Sequence, residues 1–282
     1  MRGSRRREGW QKVSGCGARS CLLGLCLVYL FSPLASRLTP HAEAAEPLVI
    51  AAASDLNFAF KEIIAEFEKT SGDKVKLSLG SSGNFFAQIQ QGAPFDLYFS
   101  ADIRYPQKLV ESGYAVADSL YRYAIGRIVV WVPNQSSIHV ERGLETLLDP
   151  HIRKIAIANP KHAPYGRAAV AAMEYAQVYD RVKDKLVLGE NISQAAQFVE
   201  SGAADVGIIA LSLALAPPMQ AAGHYWEIPA DAHPPIEQGA VLLMGGKNQE
   251  RAKAFLSFIQ GAEGQAMMRR YGFSIPVDRA KP

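Results

Sequence analysis

Four places in the sequence bring a short apolar run up against small and hydroxyl-bearing residues, with a helix-forming pattern directly behind. They are Ala53-Ser54-Asp55, Gly80-Ser81-Ser82-Gly83-Asn84, Pro164-Tyr165-Gly166 and Glu190-Asn191-Ile192-Ser193. The first turn of a helix leaves backbone N–H groups without acceptors and carries the positive end of the helix dipole. Each junction can therefore receive an anion. In open α/β sheets, ligands gather beyond the carboxyl ends of the strands, which is where such junctions fall. Taken one at a time, a Ser, Asn or Asp before a helix is an ordinary N-cap worth about 1 kcal/mol. The Gly80–Asn84 run says more, because two glycines flanking paired hydroxyls let backbone approach a ligand closely. Two lobes each contributing two such ends would surround a small anion with donors.

The elements that would position these junctions alternate between strand and helix, the signature of a mostly parallel α/β sheet. Residues 47–53 read as a strand buried on both faces. Residues 58–69 place Phe60, Ile63, Ile64 and Phe67 at helical spacing. Strands are expected over 75–79 and 96–100, and helices over 84–91 and 106–112. The second half repeats the pattern, with strands at 127–132, 154–158, 186–188 and 206–211 and helices at 166–175 and 193–202. A strand at 240–244 and helices at 252–259 and 263–271 close the chain. No low-complexity linker or short repeat divides the halves. The expected division is residues 45–126 plus 238–282 for a first lobe and 127–237 for a second, with chain crossings near 124–132 and 235–241. This is a two-lobed architecture, each lobe a mixed, mostly parallel sheet flanked by helices, with the ligand in the cleft.

The 282-residue chain is large enough for two such cores. Its formal charge of +3 comes from the front of the chain, because seven of the 30 basic residues but only two of the 27 acidic ones precede residue 45. The remainder carries 23 basic and 25 acidic residues, which gives no electrostatic case for nucleic acid. Residues 1–44 read as a secretory signal: Arg5-Arg6-Arg7, an apolar run over 21–31, Pro33, then Ala42-Glu43-Ala44 as a small-x-small cleavage pattern. The apolar run is short for a membrane span, so cleavage is favoured over retention as an anchor. Cys26 lies inside the run behind bulky Leu25, which disfavours a lipoprotein signal. All three cysteines (Cys16, Cys21 and Cys26) sit in this leader. The mature chain is thus expected to lack disulfides, thiolate metal sites and a cysteine nucleophile.

The stretches AAASDL (51–56), GSSGNF (80–85), GAPFDLYFSAD (92–102) and YGFSI (271–275) resemble, in the same order, the periplasmic molybdate-binding proteins of ABC transporters. The similarity covers roughly residues 47–276. It implies a type II periplasmic-binding-protein fold, capture of molybdate or tungstate, and delivery to the membrane permease subunits of an ABC transporter by a periplasmic, monomeric protein without a cofactor. Carried over by position, Ser54 and Ser82 would supply hydroxyl and N–H donors, and Tyr165 and Ile192 backbone N–H groups. These would hold the metal only through its oxygens. Neutral fixed dipoles in a dry cleft suit a dianion, because hydrogen bonds to a charged acceptor are roughly twice as strong as neutral ones. Two positions depart from the pattern. Many members carry a tyrosine donor where Ala210 stands here, and the Tyr165 hydroxyl is the expected replacement. Asp55 would repel a dianion if its carboxylate faced the cleft, so its contribution is expected to be its backbone N–H alone.

Other chemistries are less well served. There is no Gly-x-Ser-x-Gly elbow, HExxH or P-loop lysine, which argues against a hydrolase. Asp96 and Asp102 stand six apart, and Asp102 reads as a helix cap. An iron site would want clustered tyrosines with His or carboxylate. Tyr121 and Tyr123 share a strand face for packing reasons, and the six histidines (41, 139, 151, 162, 224 and 233) show no ligand spacing. Lys161-His162 is either an anion-steering pair or a solvated loop. A sensor half of a transcription regulator would need a DNA-binding segment where the leader stands. Sulfate remains the main alternative ligand, since like molybdate it needs donors only, whereas protonated phosphate also needs an acceptor.

Overall fold

The computed structural model describes residues 46–276. The leader, its cleavage pattern and the three cysteines lie outside the described residues. Ten strands follow in chain order: β1 (Leu48–Ala53), β2 (Val75–Gly80), β3 (Leu97–Ser100), β4 (Tyr121–Gly126), β5 (Ile128–Pro133), β6 (Ile155–Ala158), β7 (Leu186–Gly189), β8 (Val206–Ala210), β9 (Gly223–Glu227) and β10 (Ile236–Leu242). They make two five-stranded sheets, ordered β2-β1-β3-β10-β4 and β7-β6-β8-β5-β9. In each, three neighbouring strands run parallel and the fourth is antiparallel to both of its neighbours. The sheets therefore share one layout although the sequence carries no short repeat. The chain passes from the first sheet to the second at Arg127 and returns between Glu227 and Ile236.

The helices are α1 (Asn57–Ser71), α2 (Ser82–Gln90), α3 (Arg104–Glu111), α4 (Pro164–Tyr175), α5 (Tyr179–Val182), α6 (Ile192–Glu200), α7 (Leu211–Ala214), α8 (Pro217–Ala222), α9 (Gln249–Gln260) and α10 (Ala262–Arg270). Helix α1 buries Phe60, Ile63 and Phe67 at spacings of three and four, one apolar stripe toward the sheet. Phe60 and Phe67 meet Phe255 of α9 edge-on, with ring centroids 5.9 and 5.0 Å apart. The C-terminal helices thus pack on the first sheet, and Ser274 closes the return by bridging to Ile125 of β4. The second core gathers around Trp131 of β5, which is fully buried.

Most elements fall where periodicity places them, with informative shifts at the junctions. Helices α2, α3, α4 and α6 begin one or two residues earlier than hydrophobic spacing alone suggests. Their first turns are made of the Ser, Pro and Tyr residues that carry no periodic signal. Strand β9, Gly-His-Tyr-Trp-Glu, was not expected, because it is an edge strand without an alternating apolar pattern. The described residues fall in one compact unit, so the two halves are closed against each other.

Candidate functional site

Strand β1 ends in a single 3-10 turn, Ser54–Leu56, before α1 begins. That turn points Ser54 and Asp55 off the sheet edge toward the second half of the chain. Ser81 stands before α2 in extended conformation, which puts Ser82 at the first helical position. From the other half, Pro164 opens α4 with a ring that needs no N–H partner, followed by Tyr165. Asn191 caps α6 by accepting from the Gln194 N–H at 3.1 Å, leaving Ile192 at the first helical position. The N–H groups of Ser82, Tyr165 and Ile192 all lie in first turns, where no intrahelical acceptor exists.

Ser54, Asp55, Ser82, Tyr165 and Ile192 line one small cavity between the halves. Its volume available to the centre of a water-sized sphere is about 10 Å³, close to the least that accommodates one small guest. The residues named from sequence are therefore all brought together. No lysine or arginine lines this cavity. Ala210, where the tyrosine of the resembling family would stand, is fully buried at the end of β8 and does not line it.

The hydroxyls differ in what they have left to give. Ser82 Oγ accepts from the Ala101 N–H at 2.9 Å and its carbonyl from the Tyr98 hydroxyl at 2.7 Å. Its own proton stays free for a guest. Ser54 Oγ donates to Asn191 Oδ1 at 3.0 Å and accepts from the Ser193 N–H at 3.2 Å. The Ser193 hydroxyl returns a bond to the Ser54 carbonyl at 2.8 Å. Ser54 is thus a tie between the halves as well as a wall of the cavity.

The Tyr165 hydroxyl lies inside the site and is buried. It donates to Asp55 Oδ2 at 2.9 Å and accepts from Gln238 Nε2 at 2.8 Å. Gln238 Nε2 also donates to Asp55 Oδ2 at 2.8 Å, while its Oε1 accepts from the Tyr123 hydroxyl at 2.6 Å. Burial raises the pKa of Asp55 from the ordinary 3.8 to about 6, against the opposing pull of the Gln238 and Tyr165 hydrogen bonds and the nearby backbone N–H groups of Asp55 and Leu56. Burial, reinforced by the Asp55 charge, likewise pushes the Tyr123 and Tyr165 hydroxyls well above the usual tyrosine range, so both stay neutral.

Further contacts close the cleft around this cavity. The Gly83 N–H donates to the His162 carbonyl at 2.9 Å, and His162 Nδ1 lies 2.9 Å from Ser81 Oγ. Gly83 has to be glycine for this approach, since a Cβ there would sit 2.8 Å from the same carbonyl. A Cβ on Gly166 would collide with the Ala158 carbonyl, which ties the start of α4 to the end of β6. On the flank, Asp102 Oδ2 meets Arg104 at 2.7 Å and Arg167 of α4 at 2.6 Å. Its Oδ1 accepts from the Arg104 N–H at 3.0 Å, the helix-capping role read from sequence. Burial works to raise the Asp102 pKa, but hydrogen bonds from Arg104 and the charges of Arg104 and Arg167 outweigh it, and the net direction is down.

Sequence reasoning missed Gln238, took Tyr123 only as a packing residue, and placed Asn191 at a junction without its tie to Ser54. A local signal existed only for Asn191, whose position before an apolar helix marks it as a cap. Asp96 is a structural tie: it accepts from Val49 N–H at 2.7 Å and Asn248 N–H at 2.9 Å. Among the described residues, no group of three or more His, Cys, Asp or Glu is placed to hold a metal ion. No helix of the described residues is long and apolar enough to cross a membrane.

Two five-stranded sheets flanked by helices, with a donor-lined cavity free of lysine and arginine between the halves, are the architecture of a solute-binding protein. The family profile for bacterial extracellular solute-binding proteins matches residues 48–274, and the chain belongs to that family. Within it, the chain groups with the ModA-type molybdate-binding proteins. It is 40% identical over 230 residues to the molybdate-binding protein ModA of Rhodobacter capsulatus, covering 82% of this chain and 89% of that one. The ModA of Azotobacter vinelandii is 37% identical over 234 residues, covering 83% and 92%. The solved periplasmic molybdate-binding protein of Azotobacter vinelandii superposes with a TM-score of 0.77 at 32% identity, covering 82% of this chain and all of that one.

Proposed function

We propose that this chain captures molybdate, and equally tungstate, in the cavity between its halves and passes the ion to the permease subunits of an ABC transporter. The observation that carries the reading is one small cavity walled by the first turns of α2, α4 and α6 and by the Ser54 turn, with no cationic side chain. Ser82 would hold the ion by hydroxyl and N–H, and Tyr165 and Ile192 by N–H; Ser54 would give its N–H, and its hydroxyl only by releasing the bond to Asn191. Each would bond to an oxygen of the ion, never to the metal. The relatives named above, whose printed names describe molybdate binding, support the choice of ion.

Capture would proceed by hinge closure. One lobe, residues 45–126 plus 238–282, would meet the ion first, and the other, 127–237, would swing over it on the two strand crossings. The bonds from Ser54, Gly83 and Asp102 to the opposite half would then hold the closed form that a permease recognises. The chain acts as a monomeric carrier without cofactor or catalysis, and residues 1–44 direct it to the periplasm and are removed.

Calorimetric titration with molybdate, tungstate, sulfate and phosphate at equal ionic strength tests this reading. Molybdate and tungstate should bind far more tightly than sulfate. Replacing Ser82, the hydroxyl with a free proton, by alanine should weaken molybdate by about 10- to 100-fold, the cost of one hydrogen bond to a charged group at roughly 1.5–3 kcal/mol. Tight sulfate binding without molybdate binding would transfer the assignment to sulfate and leave the fold untouched.

A further inference from the structure

The Asp55 side chain is the one acidic group in the cavity wall, and its two oxygens are treated unequally. Oδ2 accepts from both the Tyr165 hydroxyl and Gln238 Nε2, at 2.9 and 2.8 Å. Oδ1 is buried and makes no hydrogen bond of good geometry, the Asp55 and Leu56 N–H groups only lying near the carboxyl group. An ionised carboxylate oxygen left bare in a buried site is costly, because nothing replaces the water it gave up. A neutral carboxyl group removes that difficulty. With two donors already on Oδ2, the proton has one place to go, Oδ1, and there it becomes an O–H donor.

The groups packed around Asp55 leave the proton no competitor. Tyr123 on β4 and Tyr165 on α4 are titratable but remain neutral. Gln238 on β10, Ser212 on α7 (whose hydroxyl donates to the Asp55 carbonyl at 2.8 Å) and Ser193 on α6 are uncharged. No cation stands among them to hold Asp55 as a carboxylate. Gln238 lies beside a register shift in the β10–β4 pairing, the kind of irregularity that re-aims a side chain. Its amide orientation is fixed by the Tyr123 hydroxyl on Oε1, so Nε2 must face Oδ2. The same network commits the Tyr165 proton to Asp55, which removes that hydroxyl as the replacement for the donor missing at Ala210.

We infer that Asp55 serves as an uncharged hydrogen-bond donor to the captured oxyanion, its proton carried on Oδ1, so that each ion bound at alkaline pH brings one proton with it. The inference rests on the oxyanion-capture reading above and adds what that reading lacks, a side-chain donor in the cavity wall besides the serine hydroxyls. Above about pH 6 the empty site holds a carboxylate, and a dianion entering beside it repels the negative form and favours the neutral one. Proton and ion enter together, and neither leaves a net repulsion behind.

The experiment is calorimetric titration of the full mature chain with micromolar sodium molybdate at pH 6.5, 7.5 and 8.5, in pairs of buffers of different ionisation enthalpy. That design yields both Kd and the number of protons taken up. For the native chain, uptake should approach one proton per ion at pH 8.5, and Kd should weaken toward tenfold per pH unit. Asp55→Asn presents an amide oxygen to Tyr165 and Gln238 and an N–H where Oδ1–H stood. It should bind molybdate with a Kd independent of pH, more tightly than the native chain at pH 8.5, and with no proton uptake. Asp55→Ala, which has no donor, should bind more weakly than Asp55→Asn at every pH. His162, beside Ser81, is the other group near the cavity able to gain a proton. Uptake that persists in Asp55→Asn and disappears in His162→Gln would overturn the inference in favour of the imidazole. Molybdate binding without proton uptake by the native chain would overturn the inference alone, and no molybdate binding by any of the proteins would overturn the capture reading with it.

Discussion

Asp55 follows β1 and Asp102 follows β3, two strands that lie side by side in the first sheet, and both carboxyl groups reach across to α4. Asp55 meets the Tyr165 hydroxyl; two residues further along the same helix, Arg167 meets Asp102. Asp102 has a guanidinium on either side and its helix N–H, and these overcome burial and hold it ionised. Asp55 has two neutral donors on one oxygen, none on the other, and burial prevails. Residue type and position in the fold are nearly the same, so neighbours alone move the two pKa values in opposite directions. The division suits a cleft that closes on an anion. Paired charge sits on the flank, beside partly exposed arginines, and the cavity wall carries a carboxyl group without a cationic partner, which can be neutralised where a fixed negative charge would oppose the guest.

The comparison can be broken most forcefully at Asp55. Its folded pKa lies above the ordinary value, so the stability it contributes is fully present below about pH 4 and is lost as pH rises through about 6. A shift from 3.8 to about 6 corresponds to roughly 3 kcal/mol. Asp55→Asn should therefore raise the ion-free unfolding free energy by up to about 3 kcal/mol at pH 8 and hardly at all at pH 4, as read from urea midpoints. A variant destabilised equally at both would show that Asp55 is held as a carboxylate after all.

Asp102 should respond with the opposite sign. Its pKa is depressed in the folded state, so its contribution is present above the ordinary carboxylate value and fades as pH falls through the folded one. Asp102→Asn should cost about 1–2 kcal/mol at pH 7, a figure discounted for the exposure of both arginines. The cost should shrink toward zero in acid. Unfolding curves of the two asparagine variants across the same pH range would separate or merge the two cases directly.

The smallest effect is expected at the rim. Asn84 Nδ2 donates to Glu190 Oε1 in an exposed bond across the cleft. Its loss in Asn84→Ala should cost about 0.5 kcal/mol, at the low end for a hydrogen bond. Stopped-flow displacement of molybdate should then show release two- to threefold faster. An effect as large as that of Asp55→Asn would mean that closure is governed at the rim and not in the buried network.

Much of the site could be read along the chain because its signals are local. Ser82 and Ile192 open helices whose caps precede them by one residue, and Gly83 and Gly166 are needed where backbone approaches backbone. The partners of Asp55 had no such signal. Gln238 and Tyr123 lie 183 and 68 positions from it, in strands whose patterns specify burial but not which polar atom faces which. Strand β9 was hidden for a related reason: at the sheet edge it needs no apolar alternation.

What the sequence determined by itself was the alternation that makes two sheets, the four junctions whose first turns point donors off the strand ends, and the family to which they belong. These follow from periodicities and caps that act within a few residues. The tertiary structure alone decided that Tyr165 spends its proton on Asp55, that Asp55 keeps one oxygen empty, and that Asp102 on the neighbouring strand's end stays charged. Those outcomes depend on desolvation and on which donors arrive from distant strands, and neither is written in any short stretch of the chain.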